Sequence, residues 1–281
     1  MLAVFLQACI SGIPFPGLSR FLVFNFYNSM KQIPNIFTLL NLFFGCLAIV
    51  AILQNGISIQ YSPDGAQFVD IPEKIWLASL FIGLSALVDF LDGFVARLFN
   101  ATSDMGKQLD SLADVVSFGV APAMIIYQFL RMSYAKEESG MDVPVIYLVP
   151  VFILAGASAY RLAKFNLDQS QQYGFKGVPT PAMGLLVASF PLIYWYAEYE
   201  FVSVILLNKW FLYAITFVLS WLMVSNIPMM AMKFRNFSAK SNLPKLILLL
   251  VTVIAAIFLH WVAVPVTFIS YIILSFIFKN S

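Results

Sequence analysis

Apolar positions in this chain come in long unbroken blocks, not in strand-like alternation. Each block is near the ~20 residues that a helix rising 1.5 Å per residue needs to cross a hydrocarbon layer. The blocks fall near 36–54, 75–96, 108–130, 144–163, 180–198, 203–224, 244–259 and 262–278. The last two are separated by little more than His260-Trp261, so they read as a tight hairpin or as one bent, re-entrant element. The pattern predicts an all-α polytopic membrane protein of about eight transmembrane helices. Composition agrees: 61% of the 281 residues are hydrophobic and 28 are Phe, more apolar surface than a soluble domain of this size can hide.

Charge adds an orientation. With the N-terminus on the cytoplasmic side, that side collects Arg20, Lys31, Arg97, Lys107, Arg161, Lys164, Lys176, Lys233, Arg235, Lys240, Lys245 and Lys279. The other side keeps Lys74, Arg131, Lys136 and Lys209, a bias of twelve to four. The expected location is the bacterial inner membrane, multi-pass, with both termini in the cytoplasm. Cys9 and Cys46 form no metal or redox spacing. His260 beside Trp261 reads as an interfacial anchor. Residues 1–29 read as an over-extended gene start, because Met30 opens MKQIPNIFTLLNLFFG with a basic residue, a Pro-Asn break and a helix. The alternative is an amphipathic surface segment around the aromatic string FLVFNFY.

The chemistry concentrates in residues 89–114, DFLDGFVARLFNATSDMGKQLDSLAD, which spell D-x2-D-G-x2-A-R-x8-G-x3-D-x3-D. Spacings of three and four place Asp89 with Asp92, and Asp110 with Asp114, on shared helix faces. Apolar runs on both sides make this a polar turn between two membrane helices, with the acidic pairs facing each other. Carboxylates at the edge of hydrocarbon repel and are costly, and a shared divalent cation removes both penalties. Oxygen donors suit magnesium, manganese or calcium. Small residues at Gly93, Ala96 and Gly106 lower the wall for a bulky group, and Arg97 offers a planar cation for a phosphate oxygen. Ser103 and Asp104 sit where the next helix begins; Ser103 is equally readable as an N-cap or as a phosphate or sugar contact. Thr38 and Asn41 share one face of the first helix, where polar side chains bond to neighbouring helices.

The string from Asp89 to Asp114 resembles the signature of the CDP-alcohol phosphatidyltransferase family at every defined position. That resemblance implies a six-helix membrane core within residues 30–224, and the apolar blocks beyond it read as a cytoplasmic loop and C-terminal helical hairpin over 225–281. It implies that Asp89, Asp92 and Asp110 hold divalent metal, two ions of magnesium or manganese with calcium as a third option, and that Asp114 bridges to metal and acts as general base. Gly93, Arg97 and Ser103 would contact the CDP moiety, with Ala96 and Gly106 beside it. Asn35 and Thr38 resemble the part of the family that lines the nucleotide pocket, although a helix-start cap explains Asn35 equally well. A homodimer is also implied by resemblance, while no nucleic-acid partner is expected.

Two later strings bear on the acceptor. Tyr160-Arg161-Leu162-Ala163-Lys164-Phe165-Asn166 and Gly174-Phe175-Lys176-Gly177-Val178-Pro179-Thr180-Pro181-Ala182 are similar to the subgroup that makes phosphatidylserine. Lys164 stands where an arginine is usual, and Thr180 where a serine is. The resemblance implies transfer of a phosphatidyl group from CDP-diacylglycerol to the hydroxyl of L-serine, with Arg161 and Lys164 holding a carboxylate or the diphosphate. Lys164 is also explained as positive-inside decoration. Other acceptors, glycerol 3-phosphate, inositol or inositol phosphate, stay open. So do an aspartate-rich intramembrane prenyltransferase and a divalent-cation transporter, although no second acidic cluster follows residue 114.

Overall fold

The computed structural model describes residues 33–61, 63, 67–98, 103–136, 143–167, 175–197, 200–230 and 239–278. Residues 1–29, Met30 and Gly174, all named above, lie outside the described residues. The chain is mostly helical. Five helical stretches among the described residues are long and apolar enough to cross a membrane: Pro34–Gln54, Glu73–Leu98, Asp104–Ala135, Val145–Leu167 and Asn242–Ile277. At most 56% of any of these apolar windows is buried within the chain, so the rest of that surface needs lipid. The protein is a multi-pass membrane protein.

Helix α1 (Ile33–Gln54) and α2 (Trp76–Leu98) form the most extensive helix pair. The buried face of α1 reads Thr38, Asn41, Gly45, Ala48, Ile52, a 3-4-3-4 repeat that keeps one seam against its neighbour. On α2 the matching seam is Ala78, Ile82, Ser85, Val88 and Asp92. Because the helices run antiparallel, the polar ends of both seams meet: Thr38 lies against Asp92, while Ile52 and Ala78 occupy the apolar end. This register sets where a polar site can form.

The next stretch is not one uniform helix. α3 (Asp104–Asp114) passes into a wide π-helical turn, Val115–Val120, and then α4 (Ala121–Ala135). Pro122 in the first turn of α4 has no N–H for the carbonyl one turn back, and the wider turn precedes it. The turn packs tightly on α1: a Cβ at Gly45 would meet Ser117 Oγ at 2.3 Å, so only glycine allows this approach.

After α5 (Val145–Leu148) and a 3₁₀ turn comes α6 (Ile153–Leu167), then α7 (Thr180–Tyr196). The apolar block near 203–224 divides at Asn208 into α8 (Glu200–Leu206) and α9 (Lys209–Val224), because Asn208 caps α9 through the Trp210 and Phe211 amides. Two short antiparallel ribbons complete the fold: β1 (Ser58–Tyr61) with β2 (Gln67–Asp70), and β3 (Phe175–Lys176) with β4 (Pro228–Met229). Tyr194 and Tyr196 donate to Asp70 and Glu73 at 2.7 and 2.9 Å, which fixes the height of α7 beside α2 at the end away from the aspartates.

The last two blocks resolve as a hairpin. α10 (Ala239–Leu259) reverses through His260, whose φ of 48° lies in the left-handed region, into α11 (Ala263–Ile277). Thr267 and Thr252 meet across it at 3.2 Å.

Candidate active site

The four aspartates do not behave as one set. Asp89, Asp110 and Asp114 each offer a carboxylate oxygen within 4.8 Å of the other two. Asp92 is not one of these three: it accepts the Thr38 hydroxyl, whose oxygen also lies 3.2 Å from the Pro34 carbonyl, and it stays within Coulombic reach of Asp89 and Asp110. Three converging carboxylates within apolar helices make a hard, all-oxygen donor set, and a divalent cation such as magnesium or manganese fits it. Asp89, Asp110 and Asp114 are the residues that would hold it.

Asp114 is buried, and the reason lies on α1. Asn41 Nδ2 donates to Asp114 Oδ1 at 3.2 Å. Asn41 is itself held from two sides, because its backbone carbonyl accepts the Ser85 and Ser117 hydroxyls, each at 3.1 Å. Ser117 comes from the π-helical turn that follows Asp114, so the turn brings a second donor onto α1 just beyond the carboxylate. Wide turns of this kind recur at functional sites because they re-aim side chains. Among the described residues, no donor reaches Asp114 Oδ2, which leaves that oxygen for metal or for a proton.

The rest of the motif separates into open and occupied positions. A Cβ at Gly93 would meet nothing within 4 Å, so its small size reflects open space and not packing. Ala96 beside it is half-buried. Gly106 differs: a Cβ there would meet Ser103 Oγ at 3.0 Å and Asn35 Oδ1 at 3.2 Å, so the starts of α1 and α3 approach at this residue. Ser103 caps α3, its hydroxyl accepting the Gly106 amide at 3.0 Å. Arg97 turns back along α2, Nε donating to the Gly93 carbonyl at 2.8 Å, and it is exposed.

Beside the aspartates lies a second feature, a small, partly open cleft lined by Arg161, Lys164, Phe165, Lys176, Met223, Val224 and Ser225. Arg161 is only 8% exposed; Nη1 donates to Thr180 Oγ1 at 3.3 Å, and among the described residues Nε has no partner. Its charge is within Coulombic reach of Asp114, so it connects the cleft to the acidic cluster. Lys164 Nζ donates to Asn226 Oδ1 at 2.8 Å. Gly177, next in sequence to the lining residue Lys176, has φ 76° and its Cβ position lies 2.3 Å from the Met223 carbonyl, so only glycine passes here.

The sequence profile of the CDP-alcohol phosphatidyltransferase family matches residues 31–221, which span the acidic cluster and Arg161, Lys164 and Lys176. The chain belongs to that family. Among its curated relatives is the CDP-diacylglycerol–serine O-phosphatidyltransferase of Helicobacter pylori, 34% identical over 80% of this chain and 81% of that protein. Proteins of the same description are 35% identical in Bacillus subtilis, over 57% of this chain and 77% of the relative, and 40% identical in Saccharomyces cerevisiae, over 41% of each. As a family member the chain is a phosphatidylserine synthase-like transferase.

Sequence reading missed Ser85 and Ser117 as the clamp on Asn41, and missed Asn226 altogether. Asn41 carried the one available signal, its shared face with Thr38. Asn226 gave none, since it reaches Lys164 from a segment 62 positions away.

Proposed function

We infer that the acidic cluster and the adjoining cleft together transfer a phosphatidyl group from CDP-diacylglycerol to the hydroxyl of L-serine, releasing CMP. The observation that carries this is the meeting of Asp89, Asp110 and Asp114 beside a cleft whose wall is the buried Arg161. A divalent cation bound by these carboxylates would neutralise the diphosphate and the departing CMP. The open space at Gly93 and Ala96 receives the CDP moiety, with Arg97, Ser103, Asn35, Thr38 and Gly106 around it. Arg161, whose Nε has no partner among the described residues, takes the serine carboxylate, and Lys164 stands beside it. Serine Oγ then attacks the phosphorus that bears the lipid. The new O–P bond forms as the bond to CMP breaks, and the hydroxyl proton passes to Asp114. Asn41 holds Asp114 through one oxygen and leaves the other for that proton.

The finer architecture belongs to the same proposal: eight membrane crossings, a six-helix core over 30–224 and a C-terminal hairpin. Arg97, Lys107, Arg161, Lys164 and Lys176 gather at the aspartate end, while Lys74, Arg131, Lys136 and Lys209 lie at the other. The positive-inside rule then turns the site to the cytoplasm. Lys176 as a third cation in the cleft favours a second reading, an acceptor carrying its own phosphate. The test gives membranes containing the chain CDP-diacylglycerol with labelled serine, glycerol 3-phosphate or inositol in turn. Labelled lipid from serine with equimolar CMP is expected. Release of pyrophosphate, or label only from glycerol 3-phosphate, overturns the assignment.

A further inference from the structure

The C-terminal hairpin lies beyond the residues that match the family profile, 31–221, yet it is bonded to the cleft. Residues 222–230 leave α9 and run through β4 as a strap, and Met223, Val224 and Ser225 line the cavity. On the inner side the strap is fastened to the site. The Leu222 and Ile227 carbonyls accept the Val178 and Gly177 amides at 3.1 and 2.8 Å, and Asn226 accepts Lys164. On the outer side, α11 takes both backbone polar groups of Met230. The Met230 N–H donates to Ser275 Oγ at 3.1 Å, and the Tyr271 hydroxyl donates to the Met230 carbonyl at 3.1 Å. Ser275 completes the ring by donating to the Tyr271 carbonyl at 2.7 Å, one turn back on the same helix. Tyr271 and Ser275 are 7% and 2% exposed. Apolar side chains at 271 and 275 would fill the same space but leave both Met230 backbone groups without these partners, so the polar pair fixes where the strap sits.

We propose that Tyr271 and Ser275 are positioning residues for the acceptor: by clamping Met230 they hold the strap, and through Asn226 the ammonium of Lys164, in the geometry the cleft requires. This rests on the reading that the Arg161–Lys164 cleft takes the acceptor. The aspartates hang from α2 and α3, and none of the clamp's hydrogen bonds runs to those helices; its nearest link to them is Arg161, within Coulombic reach of both Tyr271 and Asp114.

The test uses the full-length chain carrying Tyr271→Phe, Ser275→Ala or Ser275→Thr. Loss of one neutral hydrogen bond raises the acceptor KM about three- to ten-fold in Tyr271→Phe and Ser275→Ala. In both, kcat and the KM for CDP-diacylglycerol stay within about two-fold. Ser275→Thr keeps the hydroxyl and restores the wild-type value. Hydrogen exchange gives a readout free of turnover: the Gly177 and Val178 amides exchange faster in Tyr271→Phe. An unchanged acceptor KM overturns the proposal, as does an equal decline in both substrates with a lowered melting temperature. Should the wild-type chain use glycerol 3-phosphate or inositol and not serine, only the serine assignment fails, and the KM of the acceptor used carries the test. If none of the three is turned over, exchange decides, and unaltered Gly177 and Val178 amides overturn it.

Discussion

Replacing Asn41 by leucine removes one bond and little else. The side chain is fully buried and of similar volume, so the substitution leaves no large void. The backbone carbonyl that accepts Ser85 and Ser117 survives any substitution, so the clamp between α1, α2 and the π-helical turn is retained. What disappears is the 3.2 Å donation from Nδ2 to Asp114 Oδ1. A hydrogen bond to a charged group contributes about 1.5–3 kcal/mol, which converts to roughly a 10- to 150-fold change. If that bond aims Asp114 at the acceptor hydroxyl, the loss falls on kcat and not on the KM for CDP-diacylglycerol. The assay is CMP release by purified protein in mixed micelles, with both substrates varied and folding checked by size exclusion. Activity within about two-fold of wild type refutes the role given to Asn41, because a bond that orients the base cannot be removed at so little cost.

Asp114→Asn keeps the shape but cannot accept a proton; turnover falls by about 10²–10⁴-fold. Binding of the CDP-lipid, measured by equilibrium dialysis, persists, and substantial turnover in this variant removes the general-base assignment. Gly177→Ala places a Cβ 2.3 Å from the Met223 carbonyl at a φ of 76°. That strain, about 1–3 kcal/mol, lowers the melting temperature in detergent, and an unchanged melting curve contradicts the tight crossing described for the strap. Chelation abolishes turnover, and added magnesium or manganese restores it; activity indifferent to chelator removes the metal from the account.

The motif between Asp89 and Asp114 was legible because helical spacing alone sets which side chains share a face. The same logic exposed Thr38 and Asn41 on α1. It did not distinguish Asp92 from the other three acids, since the Thr38 hydroxyl that takes Asp92 comes from 54 positions away. The π-helical turn was hidden because VVSFGV is as apolar as any helix interior, and its geometry depends on Pro122 and on Gly45 across the packing contact. The division of the 203–224 block was readable in principle from Asn208, a common N-cap residue, but hydropathy ran over it. The turn between α10 and α11 was narrowed to two options; His260 at positive φ selects the hairpin. The strap over 222–230 depends on bonds from three distant segments, and hydropathy carries no trace of those.

Manganese binding followed by electron paramagnetic resonance addresses the three-carboxylate centre without any turnover. The wild-type chain should remove the free-ion signal stoichiometrically, and Asp110→Asn should largely restore it. Undiminished binding in Asp110→Asn would show that the ion sits elsewhere, and the catalytic role given to this acidic cluster would then be wrong.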